Sequence, residues 1–410
     1  MRIILKGIIL ISLCFSITNY VPLSLSVILL LPLSVISVFY RSEIYKIKKI
    51  ELYLVLLYLY IIVSVLVYNP SSFLDLDFYR RDGNFIVSYL VLFVFIFLPI
   101  SISIDFSRTF DILFPFFVIV SCIAYIAVPK EITDDGSGSA MHFLFISHNA
   151  AGGFYSILAA VALGMLIQTK NKIYFLYSGL FLFFLYSTNS RGSIIAIGAA
   201  IAYSFIKFKR PALVFFAFLI IQFIIVYETY PVWVTMGKIM SEQANFTLGN
   251  VSSDIDFNRA GTFIDRLYYL WPRAIDNFIH SPLFGMGFGS FDDLYYKYIN
   301  IINHVVAVKD GGIIRHSDAH AHNSTFTILA ELGIVGYSLF ILLFNEINKR
   351  IHELSSKDPI QYTCLSLALW TCIFSSATEH RITTPAQMVP FFIIFGISYI
   401  QHFGRKRRHV

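Results

Sequence analysis

Apolar runs follow one another along almost the whole chain, each ended by a short charged or proline- and glycine-containing break. A helix needs about 20 mostly apolar residues to cross a hydrocarbon core. By that measure the pattern predicts spans at 3–20, 22–40, 51–68, 84–103, 110–128, 151–168, 173–188, 192–206, 211–228, 326–344, 360–376 and 388–403. The expected fold is an all-α polytopic membrane protein with about twelve transmembrane helices. The short alternating segments of a transmembrane β-barrel are not seen. The first apolar stretch lacks a small-residue cleavage site and continues past Asn19 and Pro22, so it reads as two short spans rather than a secretory signal.

One polar interval, 229–323, interrupts this series. It divides the chain into 1–228 with nine helices, the large loop 229–323, and 324–410 with three helices and a basic tail. Long loops on a rigid scaffold tend to carry function. Trp233, Trp271 and many tyrosines make the loop too aromatic for a disordered linker, so a small helical cap is expected. The remaining pattern shows no internal repeat and no matched pair of Gly/Pro-broken helices of the kind that marks many transporters.

Composition agrees with the pattern: 57% apolar, 17% aromatic and 14% charged residues over 410 positions cannot form an ordinary soluble surface. The net charge of +6 does not point to nucleic acid, because lysines and arginines gather at span ends. One side collects Arg2, Lys6, Arg41, Lys46, Lys48, Lys49, Arg108, Lys170, Lys172, Lys207, Lys209, Arg210, Lys349, Arg350, Lys357 and the tail Arg405, Lys406, Arg407 and Arg408, whereas the opposite short loops hold Arg80, Arg81, Lys130, Arg191 and Arg381. Cationic loops are retained on the cytoplasmic side, so both termini are expected there and the large loop outside. Cys14, Cys122, Cys364 and Cys372 all lie in apolar runs, which implies neither a disulfide framework nor a zinc site.

Three stretches can carry chemistry. His316, His320, His322 and Asn323 lie where the outer loop enters the tenth span, followed by Gly333 and Gly336. A neutral imidazole can take a proton from a sugar hydroxyl, Asn323 can orient the ring or the acceptor, and the glycines would admit a neighbouring helix. His-x-His can also bind a transition metal, but a four-ligand set is not visible. Arg191, in Asn189-Ser190-Arg191-Gly192-Ser193, sits between two apolar spans, where an ionised group is costly and marks either a wet cavity or a snorkelling contact. In the outer loop, Arg259, Arg266 and Arg273 supply guanidinium forks that match phosphate oxygens. Weaker features are the glycines 285, 287 and 289, best read as a turn, the pair Asp75 and Asp77, and Glu379-His380-Arg381 in the last outer loop, which lines the same cavity or is simply solvated.

Taken together, His322-Asn323 with Gly333 and Gly336, Ser190-Arg191-Gly192, and the stretch from Arg266 through Trp271 to His280-Ser281-Pro282-Leu283-Phe284-Gly285-Met286-Gly287 resemble the O-antigen ligase and polymerase superfamily over residues 150–345. The resemblance implies a C-type glycosyltransferase-like fold that holds an undecaprenyl-pyrophosphate-linked glycan at the periplasmic face of the bacterial inner membrane. It implies that His322 activates the acceptor hydroxyl, that Arg191 and Arg266 hold the pyrophosphate, and that His320 assists. It further implies inversion at the sugar, with no metal and no cofactor. The acceptor would be the lipid A core for a ligase, or a second lipid-linked glycan for a polymerase; the histidine-glycine pattern is the ligase one. A polysaccharide flippase would share the span count and a cationic path, but seldom concentrates its polar residues in one outer loop.

Overall fold

The structure is a computed structural model that describes residues 2–18, 28–30, 32, 48–75, 78–79, 83–97, 104–132, 139–206, 211–242, 266–291, 306–309, 312–315 and 320–403. Within these residues the chain is mostly helical. The helices are α1 (Arg2–Phe15), α2 (Lys49–Tyr68), α3 (Asn84–Phe97), α4 (Phe106–Ala127), α5 (His148–Thr169), α6 (Lys172–Ser187), α7 (Arg191–Ile206), α8 (Pro211–Glu242), α9 (Trp271–His280), α10 (Ser324–His352), α11 (Pro359–Ser375) and α12 (Pro385–Phe403).

Six of them are long and apolar enough to cross a membrane: α2, α4, α5, Pro211–Pro231 of α8, α10 and α12. Shorter apolar helices lie at Ile4–Phe15, Phe85–Phe97, Lys172–Ser187 and Arg191–Phe205. The span expected at 22–40 is described only at 28–30 and 32, where it is helical.

The helix ends follow local chemistry. Asp105, Ser147, Asn171, Asn323 and Asp358 each turn a side-chain oxygen onto a free backbone N–H of the first turn of α4, α5, α6, α10 and α11 respectively. Burial then sorts the helices. The faces of α5 and α12 are almost wholly enclosed by protein, whereas α4 and the span of α8 leave most of their apolar surface facing outward, as a helix bathed in lipid can. α5 packs between α6, α11 and α12; α11 also packs on α7, α3 on α12, and α2 and α9 on α10. Small residues set the closest crossings. A Cβ at Gly164 of α5 would lie 2.7 Å from the Cα of Cys364 in α11.

Two expectations need correction. α8 does not stop at 228 but runs through Pro231 to Glu242, so the polar interval expected from 229 begins later than the loss of hydropathy suggested. The loop is also not a purely helical cap: after α9 it includes an antiparallel pair of strands, β3 (Val306–Lys309) and β4 (Gly312–Arg315). A second short pair, β1 (Glu131–Ile132) with β2 (Ser139–Ala140), follows α4.

α10 is broken in its middle. Gly333 adopts φ 62° and ψ −165°, a conformation that glycine alone holds without strain. The break frees backbone groups that lipid could not satisfy, and the turn after α9 satisfies them. Met286 N–H donates to the Ala330 carbonyl at 2.8 Å and Gly287 N–H to Glu331 at 3.0 Å, while Ile334 and Val335 donate to Pro282 and Leu283 at 2.8 and 3.2 Å. Tyr60 of α2 adds its hydroxyl, 3.0 Å from the Phe284 carbonyl and 2.9 Å from that of Leu332. Gly333 thus marks a break rather than the close helix approach expected for it. Gly336 does meet a neighbouring helix, since a Cβ there would lie 2.9 Å from the ring of Tyr60. Gly285, Gly287 and Gly289 all have positive φ, as a turn requires.

Candidate active site

Residues from three separate parts of the chain meet at the end of the bundle where α10 and α12 begin and α11 ends. Arg266, from the π-helical turn Arg266–Leu270 that leads into α9, donates through Nη1 to the Thr378 carbonyl at 2.7 Å and through Nη2 to Glu379 Oε1 at 2.8 Å. The other oxygen of Glu379, Oε2, lies 3.0 Å from His322 Nδ1. Arg266 is 16% exposed at its side chain and Glu379 6%, so the pair is largely shielded from bulk water. There an ion pair is held more strongly than on a wet surface, and either partner alone would be costly.

This geometry fixes the tautomer of His322. Arg266 Nη2 also approaches His322 Nδ1, at 3.5 Å, but a guanidinium can only donate. A proton on Nδ1 excludes that contact and serves the carboxylate; a lone pair there does the reverse. The shorter distance, to Glu379, decides for Nδ1–H, which leaves the lone pair of the neutral ring on Nε2. Backbone geometry presents the ring. His322 has φ 49°, a left-handed conformation unusual for a residue with a Cβ, immediately before the cap of α10.

Asn323 is wholly buried. Its Oδ1 accepts from Phe326 N–H at 3.1 Å, and its Nδ2 donates to Gln222 Oε1 at 2.7 Å and to the Ala377 carbonyl at 3.2 Å. With oxygen and amide both engaged inside the protein, Asn323 anchors the turn that carries His322. The substrate-binding role expected for it does not fit, because no polar atom of it faces the site.

His380 stands between the two motif histidines, its ring centroid 4.2 Å from that of His320 and 5.6 Å from that of His322. His320 lines a small cavity with Thr327, Glu331 and Thr383. The donor atoms of His322, Glu379 and His380 lie within 4.8 Å of one another. A cation there would compete with the Arg266 guanidinium for the one carboxylate of the group, whose charge the arginine already balances.

Arg191 opens α7 and is exposed; its backbone N–H donates to the Asn189 carbonyl at 3.1 Å, and its guanidinium has no hydrogen bond or ion pair among the described residues. Its neighbours tie it to the site. Gly192 sits so close to Thr378 that a Cβ would fall 2.2 Å from Thr378 Oγ1, and Thr378 is the residue whose carbonyl holds Arg266. Of the other loop arginines, Arg273 is engaged elsewhere, donating to the Phe291 carbonyl at 2.8 Å and lying over the Phe291 ring. Arg259 and His316 are outside the described residues, as is Asp77; Asp75 is exposed.

A helical membrane protein with a cationic, histidine-bearing site at one end of its bundle is the class that these features define. The chain is thus a helical membrane protein with several apolar helices long enough to span, and its residues 176–341 are similar to the O-antigen ligase family. It is similar to two provisionally named polysaccharide ligases, from Rickettsia felis at 29% identity and from Rickettsia conorii at 30%, over 98 residues in each case. That alignment covers 23% of this chain and 23% of each relative, so the chain matches under a quarter of their length. The family match contains Arg191, Arg266 and His322; Glu379 and His380 lie beyond it.

Proposed function

We propose that the protein is an O-antigen ligase that transfers undecaprenyl-pyrophosphate-linked polysaccharide to the lipid A core at the periplasmic face of the inner membrane. The observation that carries this reading is the convergence of Arg266 and His322 on one carboxylate, beside the exposed Arg191. Nε2 of His322 takes the proton of the acceptor hydroxyl, whose oxygen attacks the anomeric carbon as the bond to the lipid pyrophosphate breaks. The two arginines neutralise the charge that develops on the departing pyrophosphate. Attack opposite the leaving group inverts the sugar, and none of these steps calls on a metal.

The orientation is supported by the far end of the bundle. There Lys48 donates to the Phe403 carbonyl at 2.9 Å, and Arg350 and Lys357 lie over the Phe403 ring. A cationic end is held in the cytoplasm, which turns the site outward and puts both termini inside. A count of about twelve spans is part of this reading; six described helices are long and apolar enough to cross a membrane and four shorter apolar ones accompany them.

A deletion strain tests the reading. Gels of its lipopolysaccharide are expected to show bare core, with finished polymer accumulating on the carrier lipid. Core bearing one repeat would assign the chain to polymerisation instead, and single repeats trapped on the cytoplasmic face would assign it to transport.

A further inference from the structure

Glu379 is the one described acid that touches both halves of the site. Its two oxygens are divided between Arg266, at 2.8 Å, and His322, at 3.0 Å. We propose that Glu379 is a positioning residue that couples donor binding to acceptor activation, surrendering Arg266 to the lipid pyrophosphate and thereby passing its full charge to His322. The inference rests on the reading of His322 as base and of Arg266 as pyrophosphate ligand.

In the structure as it stands, the guanidinium draws off part of the carboxylate's negative charge, and its Nη2 lies 3.5 Å from the same His322 nitrogen that faces Glu379. Both effects weaken the imidazole as a base. A pyrophosphate carries more charge than a carboxylate and accepts the arginine fork through two oxygens. Arg266 can turn toward it while keeping its Nη1 bond to Thr378. Glu379 is too buried to give up a partner without strengthening another, and the Nδ1–H of His322 lies 3.0 Å from its second oxygen. The carboxylate then holds the ring more firmly in the tautomer that carries its lone pair on Nε2, and it stabilises the imidazolium formed when that nitrogen takes a proton. A base of this kind is weak until the donor has arrived. The charged and titratable groups facing His322 among the described residues are Arg266 from the turn before α9, and Glu379 and His380 from the connection between α11 and α12, with His320 beyond His380.

The test reads His322 directly, in the full chain held in lipid nanodiscs. Diethyl pyrocarbonate modifies only unprotonated imidazole, and tandem mass spectrometry resolves His322 from His320. In the Glu379→Gln protein, the pH midpoint for modification of His322 is expected to fall by about one unit or more, the size of effect that one adjacent carboxylate exerts. Inorganic pyrophosphate should raise the midpoint in the unaltered protein and raise it distinctly less in Glu379→Gln. Glu379→Asp, which keeps the charge, should recover most of the difference, whereas a role confined to holding the fold together would leave both midpoints alone. Equal midpoints and equal responses to pyrophosphate in the Gln and unaltered proteins would overturn the coupling. Because the titration does not depend on turnover, an active His322→Ala protein refutes the functional reading separately.

Discussion

The side-chain amide of Asn323 donates to Gln222 Oε1 at 2.7 Å, tying the residue next to His322 into the middle of α8. Gln222 is itself buried, on the face of α8 that also buries Leu219, Val226 and Thr229. Asn323→Ala removes the N-cap of α10, worth about 1 kcal/mol, and leaves a buried acceptor unpaired, worth about 1–3 kcal/mol more. The variant is therefore expected to melt several degrees lower in detergent and to lose activity through misplacement of His322. An unchanged melting temperature would contradict the anchoring role.

Arg191 is the opposite case. Its guanidinium is exposed and has no polar partner among the described residues, so Arg191→Lys should leave thermal stability within about 0.5 kcal/mol of the unaltered protein. Transfer activity should nevertheless fall about a hundredfold, the usual loss when one fixed donor to a developing charge is removed, because an ammonium cannot reproduce the two-pronged fork. Normal turnover in this variant would remove Arg191 from the site.

At Gly333 the backbone itself is at stake. A Cβ there would lie 2.5 Å from the carbonyl carbon of Leu283, in a conformation closed to other residues. Gly333→Ala is expected to cost more than about 3 kcal/mol from strain and overlap combined. The measurable result is loss of folded protein from membranes, judged by monodispersity after extraction. A well-folded Gly333→Ala protein would show that α10 can close its break.

Acidity acts on the segment between α8 and α10 through Asp276 of α9. Burial pushes its carboxyl above the usual range, opposed in smaller part by the Tyr230 hydroxyl 2.9 Å away and by His280. A carboxyl raised in the folded state contributes stability below its unfolded value, near 3.9, and loses it as pH rises through the folded value. Asp276→Asn removes that dependence. The fall in melting temperature between pH 4 and pH 7 should be smaller in the variant; an equal or larger fall would contradict the burial effect.

Much of the helical order was legible in the apolar runs, because a span announces itself by length. The expected 360–376 and the observed Pro359–Ser375 differ by one residue at each end, since Asp358 and Pro359 write the start of α11 into the sequence. The β3–β4 pair was missed, although Asp310-Gly311 between two β-branched segments is a hairpin signal. Arg266 and His322 were visible through their motifs. For Glu379 the sequence left open whether it lines the same cavity or is solvated, because its partners are 113 and 57 positions away and only the fold brings them within hydrogen-bond reach. For Asn323 the sequence offered orientation of the ring or of the acceptor, and only the fold supplies Gln222, 101 positions upstream, as the partner of its amide.

The central claim is that Nε2 of His322 activates the acceptor for glycan transfer, and the most direct measurement is turnover by His322→Ala. Membranes carrying the variant, supplied with the carrier-linked polymer and lipid A core of their own host, should show no polymer joined to core while the protein retains its melting temperature. Polymer-bearing core at the unaltered rate would contradict the account.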